Sequence, residues 1–216
     1  MSSSEYKTLE LESFGEFRDR GSKFIAFAAP IVSEKEAQNY IEQLKKNHPK
    51  ARHWCYAWRL GADKNHFRAN DDGEPSGTAG RPILGQIDSA GLTQVIIVVV
   101  RYFGGTLLGT SGLINAYKES ARLALESATI VEKVYRTRIR INFNYTLMSD
   151  VMNAVKKLEL ELNHKDFGET AVIETEVPRD KVDETWLTFK AAVLKIEENQ
   201  ASEIKHIGGL EWQVIA

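Results

Sequence analysis

Residues 134–145, Val-Tyr-Arg-Thr-Arg-Ile-Arg-Ile-Asn-Phe-Asn-Tyr, alternate without a break. Tyr135, Thr137, Ile139, Ile141, Phe143 and Tyr145 fall on one side and Arg136, Arg138, Arg140, Asn142 and Asn144 on the other. Successive strand side chains point to opposite faces, so the pattern predicts a strand buried on one side only. The arginine side could touch phosphate, but the polar outer face of an antiparallel sheet is the simpler account. Downstream, Ser149 is placed to cap a helix whose Val151, Val155, Leu158 and Leu162 form a stripe. Two short strands follow around a turn at residues 166–168, and Pro178 ends the second. Asp180 opens a helix with Val182, Trp186, Phe189, Val193 and Ile196 inward, and residues 203–215 supply a last strand broken by Gly208-Gly209. The order β-α-β-β-α-β is that of a ferredoxin-like split βαβ unit.

Upstream the texture differs. An apolar strand at Ser22–Val32 is followed by Ser33 and, three residues later, Glu36, a capping box that opens a helix ending near His48-Pro49. Arg52–Leu60 reads as a strand, Asn70–Gly80 as a turn-rich loop and Val95–Val100 as a strand buried on both faces. A second helix starts near Thr110 or Ser111, with Leu113, Ala116, Tyr117, Ala121, Ala124 and Leu125 inward, and runs to about Ser127. The fold class is therefore α+β in two domains, residues 1–130 and 131–216.

The 216 residues, 43% hydrophobic and 27% charged, are ordinary material for a globular chain with a sizeable core. A formal net charge of −2 argues against a protein that coats nucleic acid through bulk electrostatics, so any contact with RNA or phosphate has to be a local patch. The single cysteine, Cys55, excludes an intrachain disulfide and an all-cysteine zinc site and fits a reducing compartment. Met1–Glu10 is polar, and the longest apolar run, Val95–Val100, is far shorter than the roughly 20 residues of a membrane span. No membrane partner is expected, and the cytoplasm is the expected location.

Two glycine-rich segments concentrate the chemistry. In Asn70-Asp71-Asp72-Gly73-Glu74-Pro75-Ser76-Gly77-Thr78-Ala79-Gly80, three carboxylates lie among helix breakers. Asp71, Asp72 and Glu74 could hold a hard cation such as Mg²⁺ or order a cationic partner, while Ser76 and Thr78 offer hydroxyls. The plain alternative is a solvated turn. In residues 104–112, Gly-Gly-Thr-Leu-Leu-Gly-Thr-Ser-Gly, a glycine loop joins a buried strand to a helix start. Gly104, Gly105, Thr106, Gly109, Thr110 and Ser111 would there present backbone amides to an anion, phosphate above all, with Arg101 and Lys118 as flanking cations. The lysine of a Walker A loop is missing, so nucleotide hydrolysis is not indicated, and the glycines could simply permit a tight turn. Trp54, Tyr56 and Trp58 share one strand face, a stacking platform for bases if exposed and core if buried. His53 and His66 lack metal spacing, and Cys55 between two bulky rings does not suggest a nucleophile.

These segments resemble the YigZ/IMPACT family in its bacterial two-domain type. The resemblance is carried by Arg20-Gly21-Ser22-Lys23-Phe24-Ile25-Ala26, by residues 53–61, by Asp71 to Leu84 (including Arg81) nearly letter for letter, and by Val98 to Tyr117. Leu107 stands where relatives commonly have lysine. The resemblance implies an N-terminal domain like the second domain of a small-subunit ribosomal protein, and a ferredoxin-like C-terminal domain like the last domain of elongation factor G. Eukaryotic relatives restrain an amino-acid-starvation kinase by competing for its ribosome-associated activator. The expected function is a non-enzymatic, translation-linked regulator that binds RNA, the ribosome or a translation factor through the two loops, without a cofactor. The rivals are a Mg²⁺-dependent enzyme acting on a phosphorylated small molecule or nucleotide, and a pure protein–protein regulator.

Overall fold

The computed structural model describes residues 4–215, so Met1–Ser3 of the polar opening segment lie outside the described residues. The chain forms two compact units, Glu5–Lys133 and Val134 onward, the second joined by Ser4. Among the described residues no helix is long and apolar enough to cross a membrane.

The first unit is built on a five-stranded antiparallel sheet of β2 (Ser13–Asp19), β3 (Ser22–Pro30), β4 (His53–Leu60), β5 (His66–Asn70) and β6 (Val95–Tyr102), in the order β2-β3-β6-β4-β5. From Val95 to Val100 strand β6 is apolar because both its faces are covered. Val95, Ile97 and Val99 pack with residues of α2 (Gly80–Ser89) and α3 (Gly109–Glu126), whereas Ile96 and Val98 pack with α1 (Glu34–Asn47). Each such side chain contributes about 1.5–3 kcal/mol on full burial. Trp58 and Tyr56 are buried beneath α1 with Trp54 packed against them, so the aromatic stripe is core and not a stacking platform. Ser33 caps α1 by accepting from the Glu36 N–H, and the Glu36 carboxylate accepts from Val32 N–H, one residue before the partner of an ideal capping box. Two strands outside this sheet, β1 (Glu5–Leu9) and β7 (Ile130–Val134), pair with each other.

The second unit carries β8 (Arg136–Phe143), α4 (Met148–Lys157), β9 (Leu162–Phe167), β10 (Ala171–Pro178), α5 (Val182–Leu194), α6 (Glu198–Glu203) and β11 (Leu210–Ile215). Its sheet order β11-β8-β10-β9 is the ferredoxin-like arrangement. Ile139, Ile141 and Phe143 are buried against the helices. On the opposite face Arg140 holds Glu174 through Nε (2.8 Å) and Nη2 (2.7 Å), and Arg138 lies 3.8 Å from Glu176. The arginine row is thus a charge-compensated outer face.

Several local expectations are corrected. Helix α2 begins at Gly80, the last residue of the expected loop, and covers residues for which the sequence pattern predicts no element; Pro82 sits in its first turn, where a missing N–H costs nothing. Ser149 lies inside α4, which starts at Met148 after a short turn, and Asp180 lies in the turn before α5. Leu162 belongs to β9, Ile196 lies beyond α5, and Glu203 ends α6, so the last strand begins only at Leu210.

Candidate functional site

The first glycine-rich loop is held by its own acids. Asp71 accepts from the N–H groups of Gly77 (2.8 Å), Ala79 (3.0 Å) and Gly80 (2.8 Å). It thereby satisfies orphan donors at the start of α2, whose N-cap residue Ala79 supplies no side-chain bond. Burial pushes the Asp71 carboxyl up, but the three donors, helped by the charge of Arg81, outweigh it and hold the group below the usual carboxylate range. Asp72 accepts from Trp54 N–H at 2.7 Å and lies 3.9 Å from Lys45 Nζ, itself above the Trp54 ring. Thr78 donates to the Pro75 carbonyl at 2.7 Å, while Ser76 and Arg81 are exposed.

Glu74 turns the other way. Only 9% exposed, it takes the guanidinium of Arg101 and the hydroxyl of Tyr117, the latter at 2.7 Å. His53 donates through Nδ1 to the Asp72 carbonyl at 2.7 Å, and its Nε2 lies 3.9 Å from Glu74. The Cys55 thiol sits 3.0 Å from the Asp71 carbonyl and 3.2 Å from the Tyr117 hydroxyl. Burial pushes both the Cys55 thiol and the Tyr117 phenol far above their ordinary values. The three carboxylates therefore diverge to separate partners. Among the described residues no group of three or more His, Cys, Asp or Glu gathers to hold a metal ion.

Arg101 is likewise not a surface cation. It is 5% exposed, paired with Glu74 and laid between the rings of Phe24 and Phe103 at 5.3 and 5.6 Å. Lys118 is exposed but nine residues beyond Gly109, about two and a half turns or roughly 14 Å along α3, too far to serve the loop amides. What remains at the second loop is an exposed stretch, Gly104 to Thr106 and Gly109 to Ser111, opening on α3. Leu108, its N-cap, is buried and provides no side-chain bond. Gly104 is needed for close approach, because a Cβ there would stand 1.9 Å from the Gly21 carbonyl carbon; its N–H also donates to Ser22 Oγ at 3.1 Å. Leu107 is 82% exposed, with Phe103 and Ile114 also exposed.

The two loops are thus joined by Glu74, whose partners lie on either side of the second loop. His53, Cys55 and Tyr117 escape a sequence reading as members of this cluster. Tyr117 fits the apolar stripe of α3, and the only signal at β4 is alternation, which puts Cys55 on the face opposite the tryptophans.

This is a polar cluster beneath two glycine-rich loops on an antiparallel sheet, joined in sequence to a ferredoxin-like unit. Residues 20–125 match the Impact N-terminal domain. The chain is 35% identical over 169 residues to the IMPACT family member YvyE of Bacillus subtilis, covering 77% of this chain and 78% of that one. It is 34% identical over 165 residues to YigZ of Escherichia coli, covering 76% and 81%. A crystal structure described as a hypothetical protein matches with a TM-score of 0.70 and 29% identity over 98% of both chains. The chain belongs to the IMPACT family.

Proposed function

We propose that the chain is a non-enzymatic, translation-linked regulator that binds phosphate groups of ribosomal RNA at the second loop. The observation that supports it is the uncapped start of α3, where exposed Gly109, Thr110 and Ser111 offer the free N–H groups of a helix N-terminus. The first loop supports this end from beneath, through Glu74, and presents no free cluster of carboxylates for catalysis. The link to translation comes from the resemblance to eukaryotic regulators. Co-sedimentation with ribosomes across a salt series tests the reading, because phosphate contacts weaken as salt rises. Ser111→Asp adds charge where the helix dipole tolerates it, so the fold survives while phosphate is repelled. The expected result is salt-sensitive pelleting with at least tenfold weaker binding of the variant. A protein that stays in the supernatant at low salt, or a variant that pellets normally, overturns it.

A second reading, a regulator with a protein partner, draws on the apolar rim of Phe103, Leu107 and Ile114. It predicts ribosome association that resists salt, ignores Ser111→Asp and is lost in Leu107→Ser.

A further inference from the structure

The second unit contains an open cavity of about 720 Å³, within the size range of small-molecule sites. It is lined on one side by the half-buried rings of Trp186 and Trp212, whose centroids are 5.1 Å apart, and on another by Lys205 and His206 from the loop before β11. Glu211 contributes a carboxylate, held by the Asn142 amide at 3.4 Å.

The loop that carries Lys205 and His206 is fixed at both ends. Lys190 Nζ donates to the Ile204 carbonyl at 2.7 Å, and Asn144 N–H donates to the Gly209 carbonyl at 2.8 Å. Gly209 has φ +76°, and a Cβ there would stand 2.6 Å from the Asn144 amide nitrogen, so the loop is moulded onto the end of β8. The Lys205 ammonium and the His206 imidazole are therefore presented by a preformed frame.

A second cation, Lys190, packs against the Trp186 side of the aromatic wall. Lys190 is 6% exposed, 5.7 Å from the Trp186 ring centre, and among the described residues no carboxylate lies within 4.0 Å of its ammonium. A buried ammonium whose one recorded hydrogen-bond partner is the Ile204 carbonyl is costly without an anion nearby.

Aromatic wall, exposed lysine, imidazole donor, buried ammonium and a carboxylate able to accept from hydroxyl or amino groups together describe one ligand chemistry. We propose that this cavity binds a nucleoside monophosphate unit, with its base against Trp186 and Trp212, its phosphate at Lys205 and His206, and its sugar hydroxyls or exocyclic amine toward Glu211. The site is separate in sequence from the two loops of the first unit and does not depend on their function.

The test is an NMR titration that follows the indole N–H signals of the full chain with 5′-nucleoside monophosphates. Saturable movement of the Trp186 and Trp212 signals is expected, with Trp54 and Trp58 unmoved. Binding should be at least tenfold weaker in Lys205→Glu, an exposed loop position, and ribose 5-phosphate should not reproduce the shifts. A trinucleotide arm separates the two sources of this chemistry: binding tighter than the monomer assigns a strand of RNA, and equal binding assigns a free nucleotide. Indole signals that stay in place with all four monophosphates, or a Lys205→Glu protein that binds as the parent does, overturn the proposal. So does ribose 5-phosphate acting as well as the nucleotides.

Discussion

The hydroxyl of Tyr117 donates to the Glu74 carboxylate at 2.7 Å, a bond between residues 43 positions apart that anchors the first loop to the helix that follows the second. The same oxygen takes Arg101 from the end of β6. One buried carboxylate thereby fixes a loop, a strand end and a helix relative to one another within the first unit.

Glu74→Gln keeps an acceptor for Tyr117 but leaves the Arg101 charge buried and uncompensated, which should cost about 3–5 kcal/mol. Adding Arg101→Met removes that charge, so the double variant should lose less stability than the two single losses summed. Urea unfolding midpoints of the three proteins check this. A Glu74→Gln protein within error of the parent would show that the pair contributes no net stability.

Asp71 gives a dependence on pH. Its carboxyl titrates below the usual range in the folded state, so its contribution is fully present above the unfolded value of about 4 and is lost as pH falls through the folded one. Asp71→Asn should lower stability at pH 7 by about 1–2 kcal/mol, as for loss of a helix cap. The gap between parent and variant should then narrow from about pH 4 downward. Chemical unfolding at pH 7, 5 and 3 measures the gap; a constant difference across that range refutes the assignment.

How much of this was legible in the sequence depends on whether a residue's role is local or made by a distant partner. The alternation of 134–145 and the apolar run of β6 announce one-face and two-face burial, since period and composition are local properties. The Ser33 cap is legible for the same reason. Arg101 is not: at the end of an apolar strand it reads as a solvated cation, and only Glu74, 27 residues away, makes its burial tolerable. The three loop acids likewise look alike in sequence. Asp71 serves amides, Asp72 a strand N–H and Glu74 a guanidinium, and that division is decided by the sheet beneath them. Helix α2 is not announced by the sequence pattern, because it begins inside the turn-rich segment at Gly80, whose lack of a side chain is required where a Cβ would meet Asn70 N at 2.5 Å.

Cys55 should be chemically silent in the folded protein. Burial raises its thiol well above neutrality; the hydrogen bond to Tyr117 opposes this, and the smaller individual effects of the Glu74, Asp72 and Asp71 charges add to the rise. At pH 8 a disulfide reagent should label it at least a hundredfold more slowly than in denaturant. Labelling at the rate of an exposed thiol would mean that the loop over β4 opens readily.

Adjacent glycines of the second loop should respond differently to alanine. At Gly105 the added Cβ meets nothing within 4 Å, so the cost is that of a positive φ (+87°) in a residue with a side chain, about 1–2 kcal/mol. At Gly104 the φ is ordinary, but the Cβ would stand 1.9 Å from the Gly21 carbonyl carbon and 2.2 Å from Ser22 N, both backbone atoms. Neither can yield by a rotamer change, so the β2–β3 turn and the loop must separate, breaking the Gly104 to Ser22 bond. Gly104→Ala should therefore lose more stability than Gly105→Ala, by at least about 1–3 kcal/mol, the usual range for overpacking. Thermal melts of the two variants side by side decide it, and equal midpoints would mean that the Gly21 turn does not confine the loop.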